Sequence, residues 1–563
     1  MATVLIRDKT TSVANGPGSE LRADISTTSV SSIPPLGEPL PKKRFWLQRT
    51  TPYDPDAIAT QMSVFDDPET AKRYQPPPEW ENTHRFDPLA RWTWREEFQL
   101  VRKIDFRIMV WTCIMFMALE LDRANLSQAL TDNFLPDLGL TTNDYNLGVT
   151  IFRLSFLCAE LPSQLVSKWM GPDRWIPMQM SLWSIVAALQ FFLSGRASFL
   201  VCRSLLGVLQ GGFIPDVILY LSYFYKHHEL TVRLAFFWTA MSIADICSAL
   251  LAYGILHMRG VHGHSGWRWL FLLEGLLTLI IGLLSFLLMP AGPCQTASWF
   301  RGKKGWFTER EETIIVNRVL RDDPSKSDMH NRQPITFRLL WRSLKDFDLW
   351  PLYILGLTFQ IPMIPPAQYL TLTLRQLGFD TFQTNLLAIP NTIGHIITMV
   401  LIAYLSEAIS QLTLVASLGQ LWALPFLIYL NAVDTAKVGR WVIYVVITLL
   451  LCYPNPHPIQ VAWNSRNSNT VRSRTVSAAC YNMFVQASSI IASNIYRQGK
   501  YSNSQGKQAS RSERRGAIAN AYYVFRNRQR DKKWNAMTPE ERLRYLATTT
   551  DQGNKRLDFR FHH

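Results

Sequence analysis

Between Ile108 and Ile495 the chain carries eleven apolar stretches of roughly 18–25 residues, each as long as a helix needs to be to cross about 30 Å of hydrocarbon. A single run of this kind could be a buried core helix of a soluble protein. Eleven leave no aqueous fold able to cover them, so the sequence implies an all-α, multi-pass membrane protein. The spans run approximately 107–126, 144–166, 175–194, 199–223, 234–257 and 268–289. After a polar stretch from about 291 to 347 come five more, near 350–371, 384–405, 412–430, 440–461 and 475–495.

The two ends have a different composition. Residues 1–100 hold Ser/Thr/Pro-rich text such as TTSVSSIPPLGEPLPKK and no apolar run of signal-peptide length, and are expected to be a disordered cytosolic tail. The expected division is this tail, an N-terminal six-helix bundle over 101–290 and a cytosolic connector over 291–347. A C-terminal helix bundle over 348–497 and a polar tail over 498–563, with a remnant of one last span, complete it.

The formal net charge of +15 raises nucleic acid as a partner, but the charge sits in the wrong places for it. Arg102, Lys103 and Arg107 precede the first span, while Asp132, Asp137 and Asp144 follow it. Lys168 and Arg174 follow the second, Lys226 and Arg233 the fourth, and 291–347 holds eleven Lys and Arg. Basic and acidic loops therefore alternate, as the positive-inside rule demands with the N-terminus in the cytosol. Nucleic acid is excluded as a partner. The seven cysteines form no CxxC pair and no disulfide framework, and are expected to be small apolar fillers. His257, His262 and His264 cluster in one loop without thiol or carboxylate partners, so no metal and no cofactor is expected. The sequon at Asn125 lies too close to the membrane to be glycosylated. No GxxxxGK[ST] is present, which excludes an ATP-driven pump, and no nucleophile–base arrangement suggests an enzyme.

Several motifs then occur in order: LDRANLSQA (121–129), FLCAELPSQ (156–164), GPDRW (171–175), RSLLGVLQGGFIPD (203–216) and GWRWLFLLEG (266–275). WFTEREE (306–312), WNSRN (463–467) and GNKRLDFRF (553–561) follow. Together they resemble the fungal allantoate permease family of the major facilitator superfamily, the anion:cation symporters, over roughly 95–497 and again from about 522. The resemblance implies a major facilitator fold of two pseudo-symmetric helix bundles, alternating access and proton-coupled uptake of a small organic anion. It also implies a monomer in the plasma membrane. Gly171, Asp173 and Arg174 are similar to the superfamily's loop between spans two and three, where they would latch the inward face. Arg203 with Gly207 is similar to the RxxxG signature associated with proton coupling.

Charges inside hydrocarbon cost at least about 2.5–3.5 kcal/mol each on insertion scales, so each needs a partner or a task. Asp122 and Arg123 lie toward the outer end of the first span, beside Glu120. Arg153, Glu160 and Gln164 share a face of the second, and Arg203, Gly207, Gln210 and Ile214 a face of the fourth, with Asp216 close behind. Asp245 lies on a serine stripe in the fifth, and Glu274 is one turn from Thr278 in the sixth. The later spans offer Gln360, Asn391, His395, Asn464, Asn482 and Gln486 but no deep acid. Proton and charge handling is therefore expected in the first half and hydrogen bonding to substrate in the second. For each residue a structural role competes: Arg153 with Glu160 as a pair between helices, Asp122 and Arg123 at the wet interface, Glu274 in a packing network, His395 as a satisfied packing residue. For Arg203 a substrate anion in a closing cavity is the favoured role.

Where the family continues into a twelfth span after Asn494–Arg497, this chain places Arg497, Lys500, Lys507, Arg511, Arg514 and Arg515. Only Ala517–Phe525 remains apolar. The twelfth span is expected to be degraded or missing, leaving eleven clear spans and a basic tail on the wrong side of the membrane. Thr538-Pro-Glu-Glu541 predicts a capped soluble helix. Uptake of an organic anion, export of a secondary metabolite, and an inactive or regulatory transporter-like protein are the three functions open at this level.

Overall fold

The computed structural model describes residues 35–38, 54–324, 326, 341, 344–368, 370, 373–374, 377–379, 387, 389–409, 411–433, 438–468, 471–495, 521–549 and 553–561. Six spans precede the connector: Val110–Ala129, Thr142–Met170, Pro172–Leu189, Arg196–Gln210 continued by Phe213–Leu221, His227–Leu256 and Gly266–Leu288. Five follow it: Trp350–Thr358 continued by Ile364–Gln368, Ile389–Ile409, Leu412–Ala432, Arg440–Leu451 continued by His457–Asn467, and Val471–Ile495. They are numbered 1–11 below.

Seven of the described spans are long and apolar enough to cross a membrane by length and composition, span 4 among them despite its break at Gly211–Gly212. The others depart from that standard for identifiable reasons. Span 1 carries Glu120, Asp122 and Arg123, and span 11 is rich in Ser and Asn. Spans 7 and 10 are broken where FQIPMIPP and CYPNPHP put prolines that cannot donate to the helix ladder. The expected unbroken spans 350–371 and 440–461 are corrected accordingly.

Breaking a helix at membrane depth frees carbonyls that no water can satisfy, and each such group left bare costs about 1–3 kcal/mol. Side-chain donors from neighbouring spans cover them. At the Gly211–Gly212 break of span 4, Gln164 donates to the Gly212 carbonyl at 3.0 Å and Gln179 to that of Gly211 at 3.0 Å. At the span 7 break Gln420 donates to the Phe359 carbonyl at 2.9 Å. At the span 10 break Thr398 donates to the Cys452 carbonyl at 2.8 Å, and His395 Nδ1 lies 3.1 Å from that of Tyr453.

Spans 2 and 4 approach closely. A methyl at Gly207 would stand 2.4 Å from the Phe152 carbonyl oxygen, and Gly212, at φ +86°, would meet Ser163 Oγ at 2.4 Å. Gly207 and Gly211 thus form the small-xxx-small seam that lets two membrane helices touch backbones.

The expected disorder of residues 1–100 is corrected over 54–100. This segment folds onto the connector, a partner that local composition does not reveal. Phe65 and Trp80 pack with Val316 and Leu320 of the connector helix Glu309–Asp322. Arg321 is bonded to Asp66 and donates to the Gln61 and Pro88 carbonyls. Arg318, fully buried, is paired with Glu97 of the N-terminal segment and with Glu229 at the start of span 5. Burial alone would raise the Glu97 carboxyl above its ordinary range, but Lys226 and Arg318 beside it hold it below.

The C-terminal tail lies on this same connector face. The helical residues 521–535 bury Tyr523 against Trp463 and Phe561, and the expected capped helix is present as Pro539–Thr548 with its Thr538/Glu541 box. Residues 521–525 of the apolar remnant 517–525 lie in the first of these helices, and 517–520 lie outside the described residues. The basic residues of the tail demanded the connector side while eleven spans would have left it on the opposite one, and the tail is bound to Asp346 and Asp348 at the end of the connector. Residues 496–520, where the twelfth span was expected to fail, lie outside the described residues.

Candidate functional site between the two bundles

The two bundles meet along spans 2 and 11 and along span 5 with spans 8 and 10. Near the connector face this seam is shut. Arg466, at the end of span 10, donates to the His227 carbonyl and to Thr231 Oγ1 of span 5, each at 3.0 Å, and pairs with Glu407 of span 8 at 2.9 Å. One step deeper lies a small pocket lined by Ile214, Trp238, His457, Asn464, Tyr481 and Asn482 among others. His457 is the hub of its aromatic wall: Trp238 packs edge-on at 4.6 Å between ring centroids, while Phe359 and Tyr481 stack at 5.6 and 5.9 Å. Asn464 is spent on the backbone, donating to the Ser477 carbonyl and accepting from its hydroxyl.

The polar residues singled out in the sequence separate into three groups. The first faces the seam. Arg123 donates to Glu120 at 2.8 Å and to Gln210 at 3.1 Å, and its guanidinium lies 5.1 Å from the Phe156 ring centre. Glu160 is fully buried, accepts a hydrogen bond from Asn482 of span 11, and lies within electrostatic reach of Arg123. Asp245, exposed, lies within reach of Glu120. Arg153 donates to the Ser489 carbonyl of span 11 at 3.3 Å. The expected Arg153–Glu160 pair is not among the ion pairs of the described residues; both arginine and glutamate reach across to the other bundle instead.

The second group lies inside the first bundle. Asp122 accepts from Trp183 Nε1 at 3.0 Å, with Thr278 and Arg203 beside it. Arg203 is 3% exposed and donates to Gln190 Oε1 at 3.1 Å. Glu274, 1% exposed, has Asn125 and Asp122 as neighbours. Arg203 therefore stands behind the seam among spans 1, 3 and 4, away from the central cavity where it was expected to meet an anion.

The third group sits toward the connector face. Asp216 is fully buried next to Ser167, Lys168 and Gln164, and Lys168 donates to Tyr223 at 2.9 Å. Gly171, at φ +93°, turns the chain into span 3. Asp173 occupies that helix's first turn, where the dipole favours an acid, within reach of Arg301 of the connector, while Arg174 is exposed. Gln360 and His395 belong to the helix breaks. Gln360 lies in the turn whose carbonyl accepts from Met363 and Ile364, and His395 covers the Tyr453 carbonyl.

Sequence reasoning missed His457, Trp238, Tyr481 and the Arg466 contacts. The signal for His457 was the CYPNPHP break, since irregular backbone inside a membrane occurs where it lines a cavity. Trp238 and Tyr481 looked like ordinary apolar-span aromatics.

Known proteins agree with this architecture. The family profile described as Major Facilitator Superfamily matches residues 112–493. An uncharacterized transporter of Saccharomyces cerevisiae is 46% identical over 518 residues, which is 90% of this chain and 95% of that protein. The major facilitator-type transporter hxnP of Emericella nidulans is 26% identical over 394 residues, 68% of this chain and 76% of its own length. Among solved structures, a proton:xylose symporter bound to 6-bromo-6-deoxy-D-glucose superposes over 74% of this chain and 95% of its own, with TM-score 0.57 at 15% identity. The Escherichia coli fucose:proton symporter covers 73% and 96%, with TM-score 0.51 at 14% identity. At such identities these two show a shared fold. The chain therefore belongs to the major facilitator superfamily and is a multi-pass membrane transporter of small molecules, not an enzyme.

Proposed function

We propose that the chain is a proton-coupled importer of a small organic anion, of the allantoate permease type, working by alternating access in the plasma membrane. The observation that carries this is the contact of Glu160 with Asn482 across the seam, one charge away from Arg123. A carboxyl in that position changes its environment whenever the two halves part. Closing the seam buries it against an amide beside a guanidinium; opening it lets water in. Proton binding is thereby tied to the conformational cycle, because each state of the seam interacts differently with the two forms of the carboxyl.

The anion reading rests on Arg123. Its fork is occupied by Glu120 and Gln210, both replaceable by a carboxylate that arrives with matching geometry. The aromatic shelf of Trp238, Phe359 and Tyr481 around His457 supplies apolar walls on the side of the second bundle. Two fold neighbours are proton symporters by name, which makes proton coupling compatible with this architecture.

Uptake of a panel of radiolabelled small carboxylates into cells expressing the chain tests the proposal. Accumulation is expected to collapse with a protonophore and to be lost in Arg123→Ala. Glu160→Gln is expected to retain exchange of labelled for unlabelled substrate while losing uphill accumulation. Accumulation that ignores the protonophore and follows sodium refutes the coupling. Uptake of neutral sugars in preference to carboxylates refutes the anion.

A further inference from the structure

Outside the membrane-spanning core, three separate segments meet at one point of the connector face. His84 lies on the short turn Thr83–Arg85, Cys294 in the turn that leaves span 6, and Glu312 in the first turn of the connector helix. One ligand atom from each lies within 4.8 Å of the other two. Around a tetrahedral zinc ion, neighbouring ligand atoms stand about 3.6 Å apart, as bond lengths of 2.0–2.3 Å require. The set is therefore open by no more than about 1 Å, a gap that rotation of the exposed His84 ring can close.

The backbone beneath these side chains is already fastened. Asn317 of the connector helix donates to the Arg85 carbonyl at 3.1 Å and accepts from the Asp87 amide at 3.0 Å, so His84 and Glu312 are held in register. Cys294 packs at the edge of the Phe65, Trp80, Val316 and Leu320 cluster, which keeps water from one side. The nearest cation, Arg85, divides itself between Glu312 at 2.9 Å and the exposed Glu309 at 3.4 Å. It can release the first without losing a partner.

We propose that His84, Cys294 and Glu312 form a Zn²⁺ site with its fourth position open to water, which fastens the N-terminal segment and the exit of span 6 to the connector. On binding, the Cys294 thiol gives its proton to solvent. Thiolate, carboxylate and neutral imidazole then leave a zinc centre of zero net charge. The mixture of sulfur, nitrogen and oxygen selects Zn²⁺ over Mg²⁺ or Ca²⁺, which take oxygen ligands. The loop charges put this face in the cytosol, where the thiol stays reduced.

The test uses the full-length chain purified in detergent, stripped with chelator and titrated with Co²⁺ alone. A thiolate-to-cobalt charge-transfer band in the near ultraviolet is expected, saturating at one equivalent and erased by Zn²⁺. Cys294→Ser is expected to abolish the band, and His84→Ala to weaken Zn²⁺ binding about tenfold or more, with gel-filtration profile and helical content unchanged. His84 is exposed, so this variant separates loss of a ligand from loss of fold. Absence of the band, its survival in Cys294→Ser, or Zn²⁺ affinity unaltered in both variants overturns the proposal.

Discussion

Asp348 gathers most of the polar contacts that fasten the C-terminal tail, with Asp346 beside it taking Asn554 and Lys555, and substituting Asp348 tests how much that attachment is worth. Asp348, its side chain 4% exposed, accepts from Tyr522 at 2.6 Å, from Lys555 at 2.9 Å and from both ends of the Arg526 fork at 3.1 and 3.2 Å. Burial pushes its carboxyl up, yet the Tyr522, Lys555 and Arg526 partners outweigh that and bring it from 3.8 down to about 2. A shift of this size is worth on the order of 2 kcal/mol, reduced to about 1–2 kcal/mol where water at the rim screens the charges. The sign follows from a depressed native value. The contribution is fully present above the unfolded value near 4 and is lost as pH falls toward 2, so at neutral pH all of it is in force. Asp348→Asn removes at pH 7 what acid would remove. Hydrogen exchange over 521–549 and 553–561 should then rise about 5- to 30-fold, the factor that 1–2 kcal/mol of lost docking sets for local opening. Exchange within twofold of the parent protein would show that the ion cluster does not hold the tail.

Gly207→Ala should cost more stability than any loss of proton coupling explains, because its methyl must displace the Phe152 carbonyl from 2.4 Å. Thermal unfolding in detergent should show the drop, and an unchanged midpoint would return Gly207 to a purely functional role. Arg203→Ala should lower stability by about 3 kcal/mol along with uptake, since it strands a buried hydrogen-bonding partner and a neighbouring acid. Gln190→Ala should capture part of that loss, and the double variant should be non-additive. Loss of uptake with an unaltered unfolding midpoint would instead place Arg203 in direct contact with substrate.

Length and hydropathy alone determined that this chain lies in a membrane, because no other solvent accepts so many apolar helices. Local chemistry was legible as well: the Thr538 box and the acids crowded into the first half are features of neighbouring residues, and the prolines that break spans 7 and 10 were there to be read but were passed over. What each polar side chain does was decided only in three dimensions. Gln164 and His395 looked like members of a transport pathway, yet they cover carbonyls freed by breaks in spans 4 and 10, and those breaks lie on other helices. Along the sequence Arg203 was the favoured partner of a substrate anion, with Arg123 competing for a place at the wet interface. Packing put the first behind Gln190 inside one bundle and the second at the seam, because helix rotation about its axis answers to all neighbours together. The N-terminal segment shows the same limit. Its polar, proline-rich text cannot bury enough surface by itself, and it orders over 54–104 because a connector helix more than 200 residues later in the chain supplies Val316, Arg318 and Leu320.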